Sequence, residues 1–130
     1  SVRSLDEDMR DLVQERLCKV AEGTAAANQC EIKIEYERGY PITDNNEAAT
    51  QHAIAVASAV SEVDMDTPPI MPSEDFSYML IEKPGAFIFL GNGDSQMLHH
   101  PEYIFDDEAI PFGSSWYAGM VEERLRLNLR

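Results

Sequence analysis

A chain of 130 residues, 44% of them hydrophobic, suffices for one modest domain with a core and is too apolar to remain disordered. The formal net charge of -14 excludes recognition of nucleic-acid phosphates, which needs clustered Lys and Arg, and for the same reason disfavours an anionic membrane surface; the acidity serves solubility. Cys18 and Cys30 have no CxxC spacing, no apolar run spans a bilayer and no signal-peptide pattern opens the chain, so the expectation is free thiols in a cytoplasmic protein.

The first residue is Ser1 rather than Met, and residues 2–4 read as a strand, so the chain reads as a piece of something longer. Ser4 is then the expected N-cap of a first helix. Glu7 completes an S-x-x-E capping box, and Asp6 and Asp8 add carboxylates to the first turn. Leu5, Met9, Leu12, Val13, Leu17, Val20 and Ala21 recur at helical spacing and predict one buried apolar stripe, with Asp8, Asp11, Glu15 and Lys19 on the opposite face. This helix should end between residues 27 and 29. Residues 31–37 alternate, with Ile32, Ile34 and Tyr36 against Glu31, Lys33, Glu35 and Glu37, which predicts a strand with one packed and one wet face.

Arg38-Gly39-Tyr40-Pro41 reads as a turn, and a domain boundary is expected near Thr43. Asn45 or Asn46 caps a second helix over about 47–60, rich in Ala. It contains His52, a lone histidine of the kind more often satisfied or at the surface than a ligand. Residues 63–65 read as a short strand, and Thr67-Pro68-Pro69 breaks regular structure. Ser73 is the expected N-cap of a short helix over 76–81, with Glu74 and Asp75 placed for the helix dipole, so the reading of this Ser-Glu-Asp triplet is capping rather than direct catalysis.

Residues 86–90, AFIFL, form a continuous apolar run of strand length, as expected of a central strand buried on both faces. Gly91-Asn92-Gly93 follows, where glycine permits positive φ and close backbone approach to a ligand; neither a dinucleotide nor a P-loop motif is present. His99 and His100 are adjacent, and neighbours in an extended chain point to opposite sides, so at most one would reach a given site. Asp106 or Asp107 caps a last helix with Pro111 in its first turn and Gly113, Ser114, Tyr117, Met120, Val121 and Leu125 as its packing face. Glu122 and Glu123 precede Arg126 in helical register, and Arg130 ends the chain.

Three blocks in this order, SEDFSYML, PGAFIFLGNG and LHHPEYIFDDEAIPFG, resemble the C-terminal part of the aminoacylase and carboxypeptidase-type metallohydrolases, in particular the branch of hippurate hydrolases and indole-acetyl-amino-acid hydrolases. Upstream, SVRSLDEDMRDLVQERLCKVAEGTAAANQCEIKIEYERGYPIT resembles the end of the lid, or dimerisation, domain of the same family. The family has Gly before the Ser of SED, where this chain has Pro72. The resemblance implies an α/β fold: residues 1–42 as the second half of an α+β lid, and 43–130 as the C-terminal part of a zinc-peptidase-like α/β catalytic domain. It implies a parent enzyme that hydrolyses the amide bond of small N-acyl amino acids through a dinuclear centre of divalent zinc or manganese. The His directly after Leu in the third block is a metal ligand in the family, which carries onto His99 and not His100. The family's general base and remaining ligands precede the stretch matched here, so no catalytic residue is nominated. The isolated chain is expected to bind no metal and to be inert. Half a lid also leaves an open sheet edge, and the expectation is a homodimer. The alternative is a truncated, non-catalytic relative acting as a self-association or interaction module.

Overall fold

The computed structural model describes residues 1–128, with side chains described as far as Leu125. Its regular structure is α1 Glu7–Ala27, α2 Glu47–Ser58, α3 Phe76–Glu82 and α4 Ala109–Asn128. The chain divides into two compact units, Ser1–Asp44 with Pro68–Lys83, and Asn45–Thr67 with Pro84–Arg130.

No strand occurs among the described residues, which corrects the predicted strands at 2–4, 31–37, 63–65 and 86–90 and leaves the α/β expectation without a sheet in this chain. The reason is that a strand is a relation between two segments: its N–H and C=O groups need a ladder partner, and alternation or an apolar run marks the face without supplying that partner. The run at 86–90 is not buried on both faces either, since Phe89 is 57% and Leu90 49% exposed. Part of its backbone pairing comes from a side chain instead. The Asn45 amide donates through Nδ2 to the Phe87 carbonyl at 2.9 Å, and its Oδ1 accepts the Phe87 N–H at 2.7 Å, much as a neighbouring strand would.

In the first unit, α1 starts two residues later than predicted. Asp6, in extended conformation, is the N-cap, and its carboxylate accepts the Met9 N–H at 2.7 Å. Ser4 instead makes a local turn, donating to the Asp6 carbonyl and accepting the Asp6 N–H. Asp6 wins because a charged acceptor makes the stronger cap, with Glu7 and Asp8 adding favourable charge in the first turn. The covered face of α1 also differs from the prediction. Val13 and Ala21 of the predicted stripe are half-buried, but so are Arg10, Gln14 and Cys18 outside it, and Ala25 is buried, whereas Leu5, Met9, Leu12, Leu17 and Val20 stand exposed. The covered line lies about a third of a turn round the helix from the apolar stripe. The segment after α1 is tied back by polar contacts: Arg38 pairs with Asp11, Arg10 donates to the Gly39 carbonyl, and the Ile42 N–H reaches Glu7 at 3.3 Å. Tyr40 and Tyr78 of α3 meet edge to face at 5.8 Å.

In the second unit, α2 and α4 pack against each other. Asn46 caps α2 by accepting the Ala49 N–H at 3.0 Å, resolving the choice between Asn45 and Asn46. Ala53 and Val56 of α2 are buried, as is Ala109 at the start of α4. The side of α4 turned inward carries Ala109, Gly113, Trp116, Gly119 and Met120. Tyr117, Val121 and Leu125, predicted in the packing face, are exposed, because the inward face follows the small residues that let the helices approach. A Cβ at Gly119 would lie 2.7 Å from Val56 Cγ1, so only glycine fits this crossing. Trp116 Nε1 donates to the Ala53 carbonyl at 3.1 Å, satisfying the indole at the same interface. The predicted pairing of Glu122 and Glu123 with Arg126, and the terminal Arg130, lie outside the described side chains.

Candidate functional site

The site is built on the connection between residue 91 and α4. Asn92 sits at its start and fastens its two ends. Asn92 Nδ2 donates to the Ile104 carbonyl at 2.7 Å, and Oδ1 accepts the Asp106 N–H at 2.8 Å. Ser95 adds a second paired clasp: its hydroxyl donates to the Ile104 carbonyl at 3.0 Å and accepts the Ile104 N–H at 3.1 Å. Gly93 between them has φ +70, a conformation that glycine adopts without cost. Asp106 then turns the chain into α4, with its carboxylate accepting the Glu108 N–H and its carbonyl the Ala109 N–H, both at 3.0 Å.

Within this closed loop the two histidines have different fates. His100 is used locally: its N–H reaches the Met97 carbonyl, its carbonyl accepts the Tyr103 N–H, and its Nδ1 accepts the Glu102 N–H at 3.1 Å. That last bond places the proton of a neutral His100 on Nε2. His99 is at a turn with φ +68, left-handed backbone that is uncommon for a residue with a side chain. Its imidazole is exposed and makes no hydrogen bond or ion pair among the described residues, whether to Glu102, Asp106, Asp107 or Glu108.

A metal centre needs three or more protein ligands. Among the described residues no group of three His, Cys, Asp or Glu side chains is placed to hold an ion. The described residues therefore do not make a centre by themselves; what they offer is the unpartnered imidazole of His99.

The other sequence candidates lie apart from this loop. Ser73 does not cap α3. Asp75 is the N-cap residue without a side-chain bond, and Glu74 accepts the Phe76 N–H at 3.2 Å. Ser77, fully buried, donates to the Glu74 carbonyl at 2.6 Å. His52 Nδ1 lies 3.4 Å from Glu123 Oε2, while its Nε2 is buried and has no hydrogen-bond partner. It lines a cavity of about 450 Å³ together with Asn46, Gly85, Met120 and Arg124. Cys18 and Cys30 are both free thiols. No described helix is long and apolar enough to cross a membrane. Sequence reasoning missed the clasps of Asn92 and Ser95 and gave Asn45 only a capping role; for Asn92, an Asn between two glycines was the available signal.

Residues 6–123 match the profile of peptidase family M20/M25/M40. The chain belongs to that family. Among curated M20/M25/M40 relatives, hippurate hydrolase of Campylobacter jejuni is 35% identical over 129 residues, covering 97% of this chain and 34% of the relative. N-acetyldiaminopimelate deacetylase of Streptococcus thermophilus is 35% identical over 117 residues, covering 88% of this chain and 31% of the relative. The enzyme of the same name from Streptococcus pneumoniae is 31% identical over 126 residues, covering 95% and 34%. The chain thus spans about a third of the length of these relatives. No solved structure matches it significantly.

Proposed function

We propose that the complete protein is a metal-dependent amidohydrolase that cleaves the amide bond of small N-acyl amino acids, and that His99 is one ligand of its dinuclear zinc or manganese centre. The observation that carries the reading is the position of His99: in a chain of this family, an exposed, unpartnered imidazole stands at the turn of a loop closed by its own side chains. The relatives support the substrate class, since hippurate is an N-acylated glycine and N-acetyldiaminopimelate an N-acetylated amino acid. When bound, the metals would polarise the amide carbonyl and acidify a water. This chain's own part is to hold a donor imidazole and to hold the loop that carries it. On this reading residues 1–42 are the second half of a lid and 43–130 the C-terminal part of an α/β catalytic domain. The protein resides in the cytoplasm, where free thiols persist, and acts as a homodimer. The 130 residues alone bind no metal tightly and turn over no substrate.

The test is hydrolysis of hippurate by the complete protein supplied with Zn²⁺ or Mn²⁺. His99→Ala should lower kcat/KM by about a hundredfold or more, as expected when a metal ligand is lost. Full activity of that variant would remove His99 from the site, and hydrolysis by the 130-residue chain would refute its inertness.

A second reading is an interaction module without chemistry. It is favoured by the uncovered stripe of α1, where Met9, Leu12, Leu17 and Val20 are all exposed, as is Leu5 just before the helix.

A further inference from the structure

Asn92 and Ser95 are joined to the far end of their own loop in the same way, each by one donated and one accepted bond. Four hydrogen bonds thus converge on the Ile104 carbonyl, the Ile104 N–H and the Asp106 N–H. They close the chain between residues 92 and 106 without a strand pair. Inside the closure, the His100 backbone and Nδ1 fasten residues 97–103 to themselves. Every paired group belongs to a neighbour of His99, and His99 itself is left over. Loops without such fastening sample many conformations, and ordering each residue costs about 1–2 kcal/mol of backbone entropy. A group held this way meets its ligand with that cost already met by folding.

We propose that Asn92 and Ser95 are positioning residues, whose paired side-chain clasps preorganise the 92–106 loop and thereby fix where the His99 imidazole is presented. The proposal rests on the reading of His99 as a ligand. Its particular content is that these two polar side chains, rather than the glycines beside them, set the ligand's place. Asn92 carries the larger share, because it joins both Ile104 and Asp106, and Asp106 leads directly into α4. Ser95 acts on Ile104 alone.

The experiment compares Asn92→Ala, Ser95→Ala, Ser95→Thr and His99→Ala in the complete protein. Three quantities are read: amide hydrogen exchange at Ile104 and Asp106, the Zn²⁺ dissociation constant by calorimetry, and the melting temperature. Asn92→Ala should speed exchange at both amides and weaken Zn²⁺ binding about tenfold or more, the scale of losing an outer-shell support. Ser95→Ala should do the same more weakly at Ile104, and Ser95→Thr, which keeps the hydroxyl, should restore both. The melting temperature should move little, because the loop is exposed. Faster exchange with Zn²⁺ affinity unchanged in Asn92→Ala would overturn the proposal, since the clasps would then be structural only. So would undisturbed exchange. If Asn92→Ala fails to fold, the Ser95 pair decides by the same readings. Should His99→Ala bind Zn²⁺ as the parent does, the ligand reading fails on its own. A loss in His99→Ala without one in the clasp variants sinks only the positioning role.

Discussion

Helix α1 and the α2–α4 pair are built from similar material and end in opposite states. In α2 and α4 the inward positions are small, Ala53, Gly113 and Gly119, and the helices close until Val56 leaves no room for a Cβ at residue 119. In α1 the large residues Met9, Leu12, Leu17 and Val20, with Leu5 just before the helix, keep a regular apolar stripe, yet each is at least 40% exposed. The line that is covered carries Arg10, Gln14 and Cys18 beside Val13, Ala21 and Ala25. Periodicity marks a face able to be buried, whereas burial needs an opposing face of matching shape. The second unit contains that face; among the described residues, the first does not.

The largest effect expected from this difference is at Gly119. Gly119→Leu should destabilise the second unit by about 3 kcal/mol, the upper part of the range for overpacking, read by urea denaturation. The gain in helix propensity on leaving glycine, about 1 kcal/mol, is too small to offset it. Val56 cannot swing away cheaply, because a β-branched side chain in a helix has one strongly preferred rotamer. A Val56→Ala background should therefore recover about 1 kcal/mol of the loss, seen as coupling in a double-mutant cycle. Strict additivity of the two changes would mean that the helices do not meet at these residues.

A smaller effect, with a sharper contrast, is expected at Leu17. In the 130-residue chain Leu17→Ala should cost less than about 1 kcal/mol, because the side chain is 40% exposed and leaves no cavity. In the complete protein, or in a dimer that covers the stripe, the same change should cost about 2 kcal/mol or more. Light scattering on the two forms of the 130-residue chain tells these covers apart. Association that weakens in Leu17→Ala points to a second copy, while a monomer at all concentrations leaves the rest of the complete protein as the cover. Equal, small costs in every context would mean that the stripe is never buried.

The same contrast explains what could be read without a structure. Helix positions were legible because their causes are local: Asn46 caps α2, Pro68 and Pro69 precede α3, and spacing places α1 and α4. Asp6 displaced Ser4 as a cap because two good acceptors stood two residues apart, and their competition depends on the turn before them. The alternation at 31–37 and the run at 86–90 could not reveal whether a partner strand would be there. The clasps of Asn92 and Ser95 were hidden for a related reason. Their partners, Ile104 and Asp106, lie 9 to 14 residues onward and show nothing in their side chains of a role played by their backbone. At the two histidines, His100 is engaged and His99 is free of partners among the described residues, a difference that depends on the turn they share and that adjacent identical residues could not show.

The smallest effect belongs to the polar face of α1. Glu15 and Lys19 pair at i,i+4 with Glu on the N-terminal side, the favourable order. The hydrogen bond from Lys19, then its charge, holds the Glu15 carboxyl below its usual 4.5, and the hydrogen bond and charge of Glu15 raise the Lys19 ammonium above its usual 10.5. The Glu15 contribution is present above its unfolded-state pKa and disappears as pH falls through its lowered folded value. The Lys19 contribution is present below its unfolded-state pKa and disappears as pH rises through its raised folded value. The pair therefore acts across the neutral range and is lost at both extremes. Both groups are exposed to water and salt, so Lys19→Gln should shift the melting temperature by about a degree or less at pH 7. The same variant should return the Glu15 carboxyl toward its ordinary value in an NMR titration. A Glu15 titration unchanged by the substitution would show that the ion pair does not persist in solution. A melting shift of many degrees would show instead that the polar face of α1, rather than its apolar stripe, is what another surface covers.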